Sequence, residues 1–315
     1  MSTGGVASSG VAAQSARGDV RNIGRSRGLA GAIRLDGGPV GILLVHGLGG
    51  TPVELRFLAQ QLNREGFTVH CPLLAGHGGS DLLLNTTTWH DWYASVVEAH
   101  EALASECEVV LVGGISAGAM LSLHLAADRP DRVDGLMLLS PTFWPNGWAI
   151  PGSLQLFRLV RQRWFADLFS FNVRQPFGIK DERTRRFVLE SLMRDGRDMR
   201  DVFGRRGGTL FEFRRMISAG LKLLGRIRQP ALVIHSREDD QSDLSSALTL
   251  QRRLAGPVDA LILDDCYHMI VLDRQRGRVA ERVTAFAKAM GEAALARLPA
   301  SVPAAAEDSE TSAKA

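Results

Sequence analysis

The stretch that decides the fold is VVLVGGISAG, residues 109–118, in which an apolar run leads into the pattern Gly-x-Ser-x-Gly centred on Ser116. The run Val109–Val112 predicts a buried strand, and the residues from Ala117 to Asp128 predict a helix. A serine placed between a strand and a helix is typical of a sharp turn that exposes a nucleophilic hydroxyl. The same pattern also arises by chance in a glycine-rich chain, so the surrounding sequence has to decide its meaning.

Short apolar runs rich in β-branched residues alternate with helical patterns along most of the chain. Strands that are apolar throughout, with helices between them, indicate a parallel sheet covered on both faces. The predicted fold class is therefore α/β, with a mostly parallel central sheet flanked by helices. The predicted strands are Val40–Val45, Phe67–Cys71, Val109–Val112, Leu136–Leu139, Ala231–His235 and Ala260–Leu263.

Helix signals lie between these runs. The residues from Thr51 to Glu54 predict a capping box, with Thr51 as N-cap and Pro52 at the first helical position, opening a helix that stops at Gly66. Further helices are predicted from Trp89 to about Ala104 and from about Gly277 to Met290.

The regular alternation defines one large α/β domain over residues 29–298. Residues 1–28 and 299–315 are rich in small and polar residues without periodicity, and both are predicted to be disordered. The alternation breaks over about residues 141–228, where helical patterns have no clear strand between them. We predict that this stretch is a helical cap over the carboxyl edge of the sheet, where open α/β sheets bind ligands.

Composition excludes several classes of protein. The 315 residues are 45% hydrophobic, yet no run of about eighteen apolar residues lacks a charge, which argues against a membrane span. The N-terminus lacks the apolar stretch of a secretory signal, so we expect a cytoplasmic protein. Three cysteines without a Cys-x-x-Cys spacing argue against a disulfide framework or a zinc site. A net charge of +3 is too balanced to suggest nucleic-acid binding.

A serine nucleophile needs a base, and the base needs a carboxylate to orient it. In a fold of this type the expected order along the chain is Ser, then Asp or Glu, then His. Asp239 follows one predicted strand, and His268 follows the next. Because parallel strands end at the same edge of a sheet, both residues are predicted to approach Ser116 and to form a catalytic triad with it.

Alternatives exist for both partners of the serine. Asp240 or Asp243 could replace Asp239, although Asp243 looks more like the N-cap of the helix after it. His235 ends a strand without an obvious partner. The competing histidines, most of which lie in predicted turns or helices, are His46, His70, His77, His90, His100, His124 and His235.

An oxyanion hole needs two N–H donors, one beside the nucleophile and one from the loop after the first inner strand. The sequence HGLGG, residues 46–50, occupies that loop position. We predict that the backbone N–H groups of Leu48 and Ala117 form the pair.

With these motifs in place, the chain resembles the α/β-hydrolase superfamily, and within it the bacterial carboxylesterase and monoacylglycerol-lipase-like group. The resemblance implies ester hydrolysis through an acyl-enzyme on Ser116, with His268 as base and Asp239 as its orienting acid. It also implies that neither a metal nor an organic cofactor is needed. It runs from about Val40 to Met290 and is carried by residues 46–50, Gly76–Asp81, the turn at Ser116, Arg237–Asp239 and His268.

The same triad would serve thioester hydrolysis or acyl transfer, and a carbon–carbon bond hydrolase is a further alternative. A catalytically silent, hydrolase-like binding protein is an alternative of another class. A complete set of Ser116, Asp239 and His268 argues against it, because a binding module has no need for an ordered base and acid.

Charge is concentrated in the predicted cap. Residues 151–228 hold eighteen Arg and Lys against eight Asp and Glu, a local excess of +10. One hypothesis is that the basic cap meets an anionic acyl donor or a lipid surface, besides the small acyl ester expected as substrate. The alternative is that these arginines lie on solvated helix faces.

Overall fold

The computed structural model describes residues 31–172, 175–194 and 204–298. The disordered segments predicted for residues 1–28 and 299–315 lie outside the described residues. The strands are β1 Ile33–Leu35, β2 Val40–Val45, β3 Thr68–Cys71, β4 Val109–Ile115, β5 Gly135–Leu139, β6 Ser170–Asn172, β7 Gly204–Arg206, β8 Ala231–Ser236 and β9 Val258–Leu263.

Seven of these strands form one sheet in the order β1-β3-β2-β4-β5-β8-β9. Only β1, at one edge, runs antiparallel to its neighbour, and the other pairs in the sheet are parallel. Helices cover the sheet on both faces, so the predicted α/β class is confirmed. The strand β1 was not predicted, because three half-buried residues carry little periodic signal.

The α-helices of the described residues are α1 Arg56–Arg64, α2 Asp81–Thr86, α3 Trp89–Ala104, α4 Ala117–Asp128, α5 Ser153–Leu156, α6 Arg163–Ala166, α7 Glu182–Arg194, α8 Gly207–Gly220, α9 Ser245–Arg253 and α10 Arg276–Leu295. One apolar core packs α3, α4 and α8 against one face of the sheet, and a second packs α1 and α10 against the other. Side chains of β2 alternate between the two cores, as a strand buried on both faces requires.

Thr51 is the N-cap and Pro52 the first residue of the following turn, as predicted, but the predicted capping box is wrong. The Thr51 side chain makes no capping hydrogen bond, and a 3₁₀ turn, Pro52–Leu55, precedes α1. The Glu54 carboxylate instead accepts a hydrogen bond from the N–H of Gly47, seven residues earlier. The local pattern assigned the Glu54 carboxylate to the start of the helix, but the carboxylate binds the backbone N–H of Gly47.

Between β5 and β8 the chain forms α5 to α8 and a small second sheet. In that sheet β6 pairs antiparallel with β7, and Phe171 lies opposite Arg205. The sequence showed no clear strand in this stretch, so these two strands were missed. Each of the two strands has three residues, and they pair across more than thirty positions, which a local pattern does not register.

In the part of the chain that the structure describes, no helix combines the length and apolar content needed to cross a membrane. The three cysteines are all unbridged, with Cys71 and Cys266 buried and Cys107 half-buried. Within the described residues, no cluster of three or more His, Cys, Asp or Glu side chains is arranged to bind a metal ion.

Candidate active site

Ser116 lies between β4 and α4 with a strained backbone. Its φ of 56° and ψ of −114° are in a region that non-glycine residues rarely adopt. The neighbours on both sides are packed tightly, since a Cβ on Gly118 would lie 2.1 Å from the carbonyl oxygen of Val45. The strain is held by surrounding backbone, which presents the serine at the carboxyl end of the sheet.

Ser116 is half-buried, and its hydroxyl donates to Oγ1 of Thr142 at 3.4 Å. The first N–H groups of α4, beginning with Ala117, have no acceptor within their own helix. These free donors and the helix dipole favour negative charge beside the serine. The predicted oxyanion donor Ala117 is thus the residue directly after Ser116 and the first of α4.

Asp239 and His268 form a buried hydrogen-bonded pair. Nδ1 of His268 lies 2.8 Å from Oδ2 of Asp239, and both residues are less than 5% exposed. The other oxygen, Oδ1, accepts hydrogen bonds of 2.8 Å from the N–H groups of Gln241 and Ser242. A carboxylate at Nδ1 favours the tautomer that carries its proton there, which leaves Nε2 free to accept a proton.

At both Asp239 and His268, nearby charges and hydrogen bonds shift the pKa in the direction opposite to the effect of burial. Burial by itself would lower the pKa of His268, but the charge and hydrogen bond of Asp239, helped by Asp240 and Glu54, outweigh it and raise the pKa. Burial would likewise raise the pKa of Asp239, but His268, His235 and the Ser242 N–H hold it below its usual range. These shifts favour an ionised Asp239 carboxylate and make His268 a stronger base than an ordinary histidine.

The two alternative acids, Asp240 and Asp243, accept hydrogen bonds from backbone N–H groups. Oδ1 of Asp240 accepts the backbone N–H of His268 at 3.2 Å, and Oδ2 accepts that of Gly178 at 2.9 Å. Asp243 lies at the start of α9, where its Oδ1 accepts the N–H of Ser245 at 2.9 Å. In this structure only Asp239 of the three reaches the imidazole nitrogen of His268 within the described residues.

His235 has partners that the sequence did not indicate. Its Nε2 lies 2.9 Å from the carbonyl oxygen of Ser242 and 3.5 Å from Oδ2 of Asp239. The expectation that it lacks a partner is wrong, because the loop after β8 folds back over the strand end. Burial lowers the pKa of His235, so a neutral imidazole packs against the Asp239 carboxylate.

The loop 46–50, which we call the oxyanion loop, is held by its own histidine. Nε2 of His46 accepts the N–H of Leu74 at 3.1 Å, so Nδ1 carries the proton that it shares with the Gly47 carbonyl at 2.9 Å. Burial lowers the pKa of His46 to about 4, which keeps the ring neutral. The N–H of Gly50 also donates to the Gly47 carbonyl, at 3.0 Å.

These bonds set the direction of the Leu48 N–H. In a trans peptide the N–H points opposite to the carbonyl of the same unit, here that of Gly47. Within the described residues, no protein group accepts a hydrogen bond from the Leu48 N–H. Leu48, Ser116 and His268 all line one cavity, so the predicted donor, nucleophile and base share an opening.

Two charged side chains at this loop were missed by the sequence analysis. Oε1 of Glu54 accepts the Gly47 N–H at 2.5 Å, and Nη2 of Arg205 donates to the Leu48 carbonyl at 3.0 Å. Glu54 was assigned to a helix cap, and Arg205 is one of many arginines in residues 141–228. Nothing in the local pattern distinguishes it, because its position depends on β7 docking over the loop.

The shared cavity has a volume of about 530 Å³, within the range of small-molecule sites. The polar side chains that line it include Glu54, Arg56, Ser116, Thr142, Arg185, Arg205, His268 and Arg276. Most of the remaining wall is apolar and comes from both the sheet domain and the cap. The larger apolar residues that line it are Phe57, Ile150, Leu154, Phe171, Phe177, Ile179, Phe187, Leu210, Phe213 and Leu272.

The sequence profile of the alpha/beta hydrolase family matches residues 42–282. The chain therefore belongs to the α/β-hydrolase family, which confirms the resemblance drawn from the motifs. Among curated proteins, it is 46% identical over 96 residues to a thermostable monoacylglycerol lipase of Bacillus sp. (strain H-257), covering 30% of this chain and 38% of that protein. It is 37% identical over 95 residues to a carboxylesterase of Bacillus subtilis (strain 168), covering 30% and 39%.

The match thus spans about two fifths of the length of these curated relatives. A solved structure from work on two metagenome-derived lipolytic enzymes, LipS and LipT, is similar over a longer stretch. It superposes with a TM-score of 0.67 at 25% identity, covering 82% of this chain and 98% of that chain.

Proposed function

We propose that the protein is a serine hydrolase that cleaves carboxylic esters through an acyl-enzyme formed on Ser116. The observation that carries the proposal is that a strained serine and the histidine of a hydrogen-bonded Asp–His pair line one largely apolar cavity. The lipolytic and esterase names of its relatives support the same class of reaction.

In the proposed mechanism, Ser116 Oγ attacks the ester carbonyl while Nε2 of His268 takes the hydroxyl proton. The carbonyl oxygen becomes an oxyanion that the N–H groups of Leu48 and Ala117 stabilise. The bond to the leaving oxygen then breaks as His268 returns the proton to it. Water attacks the acyl-enzyme by the same route, which releases the carboxylic acid and restores Ser116.

The cavity supports an acyl chain as the larger part of the substrate. Aromatic and aliphatic side chains line the cavity that Ser116 also lines, and burial of apolar surface contributes about 25 cal/mol per Å². We therefore assign an ester of a medium-chain acyl group, of the monoacylglycerol type, whose chain lies among these residues and whose carbonyl lies at Ser116.

The first test is covalent labelling with a fluorophosphonate, followed by hydrolysis of p-nitrophenyl esters of graded chain length. Wild-type protein and a Ser105→Ala control should label and hydrolyse equally, because Ser105 is exposed and its hydroxyl donates to the Ala102 carbonyl. Ser116→Ala should do neither. Labelling that survives Ser116→Ala would refute the assignment of the nucleophile, and a folded wild type that neither labels nor hydrolyses would refute the proposed function.

The surface of the cap supports a lipid interface as the source of substrate. Four large apolar side chains, Leu156, Leu159, Trp164 and Leu168, are 69% to 77% exposed. Two exposed arginines, Arg158 and Arg161, lie in the same segment. Apolar and aromatic side chains interleaved with arginine match the chemistry of an anionic lipid surface. We assign this cap surface, residues 156–169, to such contact.

Vesicle co-sedimentation tests the assignment. Phosphatidylglycerol vesicles should retain the wild type more strongly than phosphatidylcholine vesicles, and Trp164→Ser with Leu168→Ser should abolish the difference. Leu248→Ser removes an exposed leucine from α9, outside the cap, and should leave binding unchanged. Equal binding of all variants, or none by the wild type, would exclude the cap surface as a lipid contact.

A further inference from the structure

Glu54 is a carboxylate placed directly beneath the oxyanion loop. Its Oε1 accepts the Gly47 N–H at 2.5 Å, and a Cβ added to Gly50 would lie 2.2 Å from its Oε2. A Cβ added to Gly47 would lie 3.4 Å from Oε1 of Glu54 and 3.7 Å from Cβ of Ser116. The glycine backbone is therefore packed between the carboxylate and the serine.

Glu54 and His46 anchor two different peptide units of the loop. His46 and Gly50 both bond the Gly47 carbonyl, which orients the peptide unit that carries the Leu48 N–H. Glu54 bonds the N–H of Gly47, in the preceding peptide unit. With both units anchored, the Leu48 N–H keeps one direction, and a preorganised donor needs no rearrangement as negative charge develops.

Glu54, Arg205 and His268 line the same cavity, so the carboxylate shares the site with two groups that can carry positive charge. Burial raises the pKa of Glu54 to about 7, against the opposing effects of the Gly47 N–H, His268 and Arg205. In return, the Glu54 charge is one of the groups that raise the pKa of His268. Above its own pKa Glu54 is an anion, and its charge stabilises the imidazolium that forms when His268 takes a proton.

We propose that Glu54 is a positioning residue, which holds the oxyanion loop through Gly47 and stabilises the protonated form of His268. The proposal rests on the proposed ester hydrolysis at Ser116. Glu54 itself touches neither the nucleophile nor the reacting carbonyl in this scheme, and it acts through Gly47 and His268.

Two variants separate the two effects. Glu54→Ala removes the acceptor, so kcat should fall roughly tenfold to a hundredfold, somewhat less than when an oxyanion donor itself is lost, with KM nearly unchanged. Glu54→Gln keeps an oxygen for the Gly47 N–H but not the charge. It should recover most of the kcat, and the acid limb of its pH profile should move to lower pH.

The control is Glu65→Gln, which removes a carboxylate that pairs with Lys288 just after α1, at the protein surface. Its kcat and pH profile should match the wild type. Glu54→Ala with wild-type kcat, or Glu54→Gln with an unshifted pH profile, would overturn the role of Glu54. Hydrolysis that persists in both cases would leave the proposed function intact.

Two NMR measurements test the role of Glu54 without depending on ester hydrolysis, so they separate this proposal from the proposed function. NMR titration of the His268 ring in Ser116→Ala protein should give a lower pKa when Glu54→Gln is added. Amide exchange at Gly47 should speed up in Glu54→Ala, because its N–H loses its acceptor. An unchanged His268 titration would refute the electrostatic part even in a protein that hydrolyses esters, and unchanged Gly47 exchange would refute the positioning part.

Discussion

Nδ1 of His268 lies 2.8 Å from Oδ2 of Asp239, although the two residues follow different strands. The strands β8 and β9 are parallel neighbours, so their carboxyl ends meet at one edge of the sheet. The N–H groups of Gln241 and Ser242 hold the other carboxylate oxygen. The carboxylate is thus fixed before substrate arrives, which is what orientation of a base requires.

Asp239→Asn should lower kcat by about three to four orders of magnitude, because the amide no longer fixes the imidazole tautomer. Rates with a p-nitrophenyl ester test this, with circular dichroism as the check on folding. Asp243→Asn is the matched control, since that residue bonds Ser245 at the start of α9. A larger loss in Asp243→Asn than in Asp239→Asn would contradict the assignment.

The pH profile of kcat/KM should rise with pH as His268 loses its proton, because only the neutral ring accepts the serine proton. Since Asp239 raises the pKa of His268, the wild-type limb should lie above that of an ordinary histidine, near 6.5. Removing the charge in Asp239→Asn should move the residual activity to lower pH. A shift to higher pH would show that another group controls the limb.

Arg205→Ala should lower kcat/KM roughly tenfold, the equivalent of about 1.4 kcal/mol, because the Leu48 carbonyl loses a donor from the cap. Steady-state kinetics give the value. Arg206→Ala removes the neighbouring arginine, which pairs with Asp81 at a more exposed position, and should change kcat/KM little. Equal effects of the two substitutions would point to general cap charge instead of the loop contact.

Gly118→Ala should reduce the free energy of unfolding by roughly 3 kcal/mol, at the upper end of overpacking costs. The new Cβ would lie 2.1 Å from the Val45 carbonyl oxygen and 2.7 Å from that of His46, and backbone atoms cannot rotate away. Urea denaturation measures the change. Gly277→Ala, where a Cβ in α10 meets no atom within 4 Å, should be neutral or stabilising by about 0.5–1 kcal/mol. Equal midpoints for the two variants would refute the packing argument.

The inner strands of the sheet were predictable because each is buried on both faces and therefore apolar throughout. The position of Ser116 between β4 and α4 followed from the same run and its glycines. The placement of Asp239 and His268 at one sheet edge followed from strand order. Each of these inferences depends on local patterns that repeat over several residues, which is the information a single sequence carries best.

Tertiary structure decided what lies beyond such patterns. The strands β6 and β7 become visible only as a pair, and the histidine His235 gains its partners only when the loop after β8 closes. The local sequence predicted that Glu54 caps a helix. In the folded chain its carboxylate instead accepts a hydrogen bond from the Gly47 N–H at 2.5 Å. A periodic run reports which face of an element is buried, whereas the partner of a single polar side chain depends on segments that meet only in the folded chain.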